Sequence, residues 1–334
     1  GKNQQAQKIA HAGDIVIVTK LQSTKTGDTL CDEQNPIRYE PVTYADSMFT
    51  MAIKADKKAD EDKIGNALTR LIDEDPTLKI EKNTETGDLL ISGVGEAHLD
   101  IALEKLLNKF GVTAKLYKPE IAYRETIRGT SKVEGKHKKQ SGGHGQYGDV
   151  WLEFSPGELG SGVTFTETIV GGAVPRQYIP AVEKGVRETL QTGILAGYPM
   201  VDIKVNLYDG SYHTVDSSEM AFKTAAAIAI KKGVPEAKPV LLEPYCNLKI
   251  TIPEYYMGDV IGGINTKRGR IMSTESPTHD TCIIEAQVPQ AELYKYATDL
   301  RSATQGRGSY TMTFSHYEEV PAKISEKIIE ERNK

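Results

Sequence analysis

The chain has 334 residues, a 39% apolar share, a 26% charged share and a formal net charge of −5. That length holds about two or three domains, and the balance excludes a generic polyanion binder, so any nucleic-acid contact must come from local basic patches. Cys31, Cys246 and Cys282 are far apart and form no C-x-x-C pair, which argues against a disulfide framework or a zinc site and suits a reducing, cytoplasmic setting. The longest apolar run, around 225–230, is too short to span a bilayer, and no signal peptide is visible, so no membrane partner is expected.

The opening stretch through Leu30 reads as strands and turns entered midway, as in a piece of a longer protein. From Met48 the signals alternate. A short apolar strand, 48–54, precedes a helix over 58–75 with Ile64, Leu68, Leu71 and Ile72 on one face and Pro76 just beyond its end. Residues 78–82 and 89–92 alternate around the turn "NTETGD" as a hairpin. A second helix carries Leu99, Ala102, Leu106 and Phe110, with Gly111 placed as its C-cap, and 112–116 closes the unit. The order is β-α-β-β-α-β, the ferredoxin-like split.

A different pattern follows over 117–240. Strands are expected near 121–127, 150–154, 163–169 and 201–207, and helices near 175–191 and 217–232. Asp216 with Glu219 fits an N-cap and its reciprocal acid. Two long polar loops project: one holds "KKQSGGHGQYGDV" from Lys138, the other is "LYDGSYHTVDSS" from Leu207. The ferredoxin-like order then returns, from a strand over 247–252 to another over 309–314, and a polar helix from Val320 to Arg332 ends the chain. The fold class expected is α+β and multidomain, with two ferredoxin-like modules flanking a mixed α/β arm.

Gly143, Gly145, Gly148 and Val150 spell G-x-G-x-x-G-x-V, a pattern of nucleotide-binding loops. The dinucleotide version needs an apolar strand before the glycines and a helix after them, yet polar "KVEGKHKKQ" precedes them and strand-like "DVWLEF" follows. The kinase version needs V-A-I-K, H-R-D and D-F-G partners, and none is present. The loop is better suited to RNA. Lys132, Lys136, Lys138 and Lys139 approach it against only Glu134, and Gln140, Ser141, His144, Gln146 and Tyr147 offer hydrogen-bonding or stacking groups. Gly142, Gly143 and Gly145 let the backbone come close to a partner.

Six collinear stretches carry a family resemblance: "DEDPTLKI…GDLLISGVGEAHLDI", "KPEIAYRETI", "KQSGGHGQYGDV", "GSYHTVDSSEMAFK", "YMGDVIG" and "YATDLRSATQGRGSYTMTFSHYEEVP". Together they resemble the C-terminal domains of bacterial elongation factor G, a translational GTPase. By this resemblance, 1–40 is the end of a β-barrel second domain, 41–116 the third domain, 117–240 the fourth, and 241–334 the fifth with its tail helix. The GTPase domain has no counterpart, since neither G-x-x-x-x-G-K-[ST] nor N-K-x-D occurs. This portion is therefore expected to bind no cofactor and to be no enzyme; GTP and Mg belong to the full-length protein.

The family promotes movement of messenger and transfer RNA through the ribosome. The resemblance implies that 140–147 form one fourth-domain tip loop at the decoding region and that His213 with its neighbours forms the other. It also makes Lys267, Arg268, Arg270, Arg301 and Arg307 contacts to ribosomal RNA and the stalk base. The remaining partner is the missing GTPase domain. His144 stands where the family carries arginine, which removes a permanent positive charge; a specialised paralogue and a tolerated change are both open. Two other functions remain, a ribosomal-protection protein with different tips and a freestanding RNA-binding module.

Overall fold

Residues 5–140 and 145–332 are described by the computed structural model, and 5–48 among them form neither helix nor strand. Ile9, Ile15 and Ile17 stand exposed. The barrel strands expected over 1–40 are thus not formed in the described residues. An extended segment needs neighbouring strands to take up its backbone polar groups and cover its apolar face, and no described strand pairs with this one.

The described residues divide into two units. The first runs to Lys82 and takes in Leu89–Tyr117; the second holds Asn83–Asp88 and everything from Lys118.

In the first unit β1 (Phe49–Ala55), α1 (Glu61–Glu74), β2 (Lys79–Lys82), β3 (Leu89–Gly93), α2 (Glu96–Phe110) and β4 (Ala114–Tyr117) follow in chain order. The antiparallel sheet runs β2-β3-β1-β4, the ferredoxin-like arrangement. α1 buries Ile64, Leu68 and Leu71, and α2 buries Leu99, Ala102 and Leu106. Each large apolar side chain contributes about 1.5–3 kcal/mol by leaving water. Gly111 ends α2 in the left-handed region at φ 66°, where a Cβ is unfavourable. His98 ties the module together. Its Nδ1 accepts the Val94 N–H at 3.1 Å, so Nε2 carries the proton and donates to Asp75 at 2.9 Å. Burial pushes the Asp75 carboxyl up, but hydrogen bonds from Thr77 and His98 outweigh it and hold it below the ordinary value.

The second unit begins with the arm: β5 (Arg124–Ile127), β6 (Ser131–Lys139), β7 (Gln146–Pro156), β8 (Val163–Glu167), α3 (Ile179–Gln191), β9 (Ile203–Ser211) and α4 (Glu219–Glu236). Its sheet runs β6-β7-β9-β8 with β8 parallel to β9. Val150, Leu152, Phe154, Val205 and Leu207 from the strands share a core with Val182, Val186, Phe222 and Ile230 from the helices. α4 presents the small buried residues Ala221, Ala225 and Ala229 at helical spacing. They meet glycines. A Cβ on Gly135 would lie 2.2 Å from the Ala225 carbonyl, and one on Gly148 would lie 2.5 Å from that of Ala221. Helix and hairpin therefore approach closer than any other residue pair would allow.

β6 is a strand where the sequence reads as a polar approach to a loop. Val133 and Gly135 point inward while Lys132, Lys136 and Lys138 are exposed, so its apolar signal is a single valine. Charged residues are usual on an edge strand, where they discourage pairing with other chains.

The C-terminal module comprises β10 (Pro239–Pro253), α5 (Met257–Thr266), β11 (Arg270–Thr278), β12 (Thr281–Pro289), α6 (Tyr296–Ala303), β13 (Ser309–Glu319) and α7 (Ala322–Arg332). The sheet order β11-β12-β10-β13 repeats that of the first module, with β5 of the arm added on β10. Two buried acids brace this join. Glu125 on β5 is 0% exposed and accepts the N–H groups of Ile194, Leu195, Ala196 and Tyr198 at 2.7–3.0 Å. Glu243 on β10 is 1% exposed and takes a bidentate contact from Arg268 at 2.5 and 2.9 Å. Domain interfaces are usually modest and permit reorientation; here the arm and the C-terminal module share a ladder.

Candidate nucleic-acid interface

β6 and β7 pair from Ser131↔Phe154 out to Lys139↔Gln146. Gln140 is exposed. Ser141, Gly142, Gly143 and His144 lie outside the described residues. Gly145, just before β7, lies against the second loop, which runs from the end of β9 to the start of α4.

The second loop is organised by His213. Its Nδ1 accepts the N–H groups of Val215 at 3.3 Å and Asp216 at 3.1 Å, so the neutral ring carries its proton on Nε2. The side chain is exposed, and Nε2 has no protein partner among the described residues. Asp216 and Ser217 then lace this loop to the hairpin. The Asp216 carboxylate accepts the Gly145 N–H at 3.0 Å, and its carbonyl accepts the Tyr147 N–H at 2.8 Å. Ser217 Oγ accepts the His213 N–H at 2.9 Å and donates to the Tyr147 carbonyl at 3.0 Å. Asp216 is therefore not the helix cap that its spacing to Glu219 suggests. Ser218 caps α4, accepting the Ala221 N–H at 3.3 Å, because the Asp216 side chain is held across the loops.

The same contacts account for two glycines of the G-x-G-x-x-G-x-V pattern. A Cβ on Gly145 would sit 2.8 Å from the Asp216 carboxylate, and Gly148 is taken up by α4. Neither is open to a phosphate.

Positive charge at the tip is graded. Lys138 and Lys139 are exposed, and neither forms an ion pair with a described residue. Lys136 sits 3.4 Å from both Glu134 and Asp149 and 5.7 Å above the Tyr147 ring. The charge of Asp149 holds its ammonium above the ordinary lysine range. Gln146 meets His137 Nε2 at 2.9 Å. Tyr147, expected to face RNA, is half-buried, and its hydroxyl lies 2.7 Å from Ser211 Oγ. Composition and spacing point to the lysines and His213, but Asp149, Ser211 and Ser217 carry no sequence signal that would set them apart.

A second basic group lies after α5. Arg268, expected to reach a partner, is instead held through its guanidinium by the buried Glu243 and by Glu292 at 2.9 Å. Hydrogen bonds to these acids hold it well above the usual arginine value. Its role is internal. Lys267 pairs with Asp299 at 2.9 Å, and Arg270 pairs with Glu318 and lies over the Tyr245 ring. Arg307 is exposed and Arg301 half-buried, and neither forms an ion pair among the described residues.

Comparison with known proteins gives three adjoining matches. The family model for elongation factor G domain III covers residues 44–118, that for domain IV covers 119–238, and that for the elongation factor G C-terminus covers 240–328. A crystal structure of a protein from Thermus thermophilus superposes with a TM-score of 0.77 at 42% identity. The match covers 90% of this chain and 45% of that one.

Proposed function

We propose a function from one premise: this chain belongs to the elongation factor G family, and its matched domains are those of a translation elongation factor-type protein. In the whole protein these residues form the ribosome-contacting part of a factor that promotes GTP-dependent movement of transfer and messenger RNA. The observation that supports this reading is the laced pair of tip loops. It presents Lys138, Lys139 and a free His213 Nε2–H at the end of a sheet braced to the C-terminal module.

The chemistry is that of RNA contact. Lys138 and Lys139 attract phosphate and release counterions. His213 Nε2–H is a directed donor toward a base edge or a 2′-hydroxyl, the groups read in structured RNA. Gln140, exposed beside Lys139, adds a hydrogen-bonding group, and Ser141, Gly142, Gly143 and His144 are assigned to the same contact on the family resemblance alone. Arg301, Arg307, Lys267 and Arg270 supply the ribosomal RNA and stalk-base contacts at the C-terminal module. The cytoplasm is where such a factor works. GTP and its magnesium ion belong to the family's GTPase domain; Gly145 and Gly148 are filled by Asp216 and α4, so this loop does not fit a nucleotide and no step is assigned to one here.

The test is ribosome co-sedimentation of the chain against salt. Removing one lysine–phosphate interaction lowers the slope of log K against log salt by about 0.7–0.9, so Lys138→Ala with Lys139→Ala should reduce it by about 1.5. In the full-length factor the same pair should slow RNA movement and leave GTP hydrolysis intact. A parallel fall in hydrolysis would remove these loops from the decoding end.

A further inference from the structure

We propose that Tyr147 does not contact RNA but positions the loop that does, through a polar relay with Ser211, the buried Asp149 and Lys136; the inference rests on the function proposed above. Hydrogen-bond directions set the relay. Ser211 donates its single proton to Asp149 Oδ2 at 2.6 Å, so at 2.7 Å it must accept from the Tyr147 hydroxyl. Tyr147 therefore has every polar atom committed. Its N–H goes to the Asp216 carbonyl, its carbonyl accepts from Ser217, and its hydroxyl goes to Ser211. Its ring lies between the Lys136 ammonium, 5.7 Å away, and the His213 ring, with centroids 6.3 Å apart.

Asp149 makes the relay more than filler. It is 5% exposed, and its Oδ1 has no partner among the described residues. A buried carboxylate with half its acceptor capacity unused is unfavourable for stability, and it persists where a fixed geometry is needed. What it fixes is Ser211, the last residue of β9 and the root of the loop that carries His213. Opposite it, Lys136 projects from β6 across the pair Lys136↔Asp149. The relay thus joins the roots of both loops, and the Asp216 and Ser217 contacts join their ends.

Tyr147→Phe removes only the hydroxyl and its bond to Ser211 and keeps the ring, whereas Ser211→Ala removes that bond and the Ser211–Asp149 bond as well. In the 334-residue chain, Tyr147→Phe should leave the global unfolding midpoint unchanged, whereas Ser211→Ala, which takes a partner from the buried Asp149, should lower it. Amide exchange over 212–217 should rise about fivefold, as expected when one hydrogen bond is removed. In ribosome binding by the full-length factor the two variants should be non-additive, the double being no weaker than Ser211→Ala alone, because Ser211→Ala already removes the bond that Tyr147→Phe breaks. Unchanged exchange, or additive weakening on the ribosome, would overturn the relay and make Tyr147 a direct contact, even with the lysine variants behaving as above. If exchange rises but ribosome binding is indifferent to Lys138→Ala with Lys139→Ala, the proposed function fails and the positioning role falls with it.

Discussion

The two ferredoxin-like modules share one strand order but differ in how they are anchored. In the N-terminal module β2 and β4 span four residues each and β1 seven, and the lock is the half-buried His98–Asp75 contact. In the C-terminal module β11 and β12 have nine residues each and β10 has fifteen, of which the first part pairs with β5 of the arm. There the lock is a buried ion pair, Glu243 with Arg268. The same topology thus has a short first strand in one case and serves as the base of an arm in the other. The difference lies in a lengthened first strand and where the carboxylates are buried.

The largest effect should come from breaking the deeper lock. Glu243→Ala leaves Arg268 with Glu292 alone and should cost about 2–3 kcal/mol, read as earlier urea unfolding of the C-terminal module with exchange in the N-terminal module unaffected. His98→Ala should cost less, about 1–2 kcal/mol, because the hydrogen bonds it removes are partly exposed. The same denaturation experiment then ranks the locks.

Acid sharpens the contrast further. The Asp75 carboxyl lies below its ordinary value of 3.8 in the folded chain. Its stabilising contribution is therefore complete above that value and is lost as pH falls through the folded one. As pH falls below about 4 the N-terminal module should weaken, and Asp75→Asn should flatten that dependence. The smallest stability effect belongs to Arg301→Ala and Arg307→Ala. These should stay within about 0.5 kcal/mol while weakening salt-dependent ribosome binding.

Local chemistry made much of this legible. The helical stripe of Ile64, Leu68 and Leu71, the cap at Gly111 and the alternation through Leu248, Ile250 and Ile252 all became the expected elements. Other features were hidden for specific reasons. β6 carries too few apolar residues to show its period. The start of β10, "PVLLEPYC", is buried nearly throughout and holds prolines, so it lacks the alternation of a half-exposed strand. Arg268 reads as surface charge because its partners Glu243 and Glu292 are distant in sequence.

The element types, the doubled β-α-β-β-α-β order, the family and the two loops rich in polar and basic groups are all written in the chain itself. The elements and the loops follow from periodicity, caps and composition, which act over a few residues, and the family from the resemblance of six collinear stretches. Which charges remain free is a property of the fold. Lys138 and Lys139 keep theirs, while Arg268 is consumed by a buried acid and Tyr147 is turned inward by Ser211 and Asp216. A charge is free only when no opposite charge is brought beside it, and residues far apart in the chain meet only through folding.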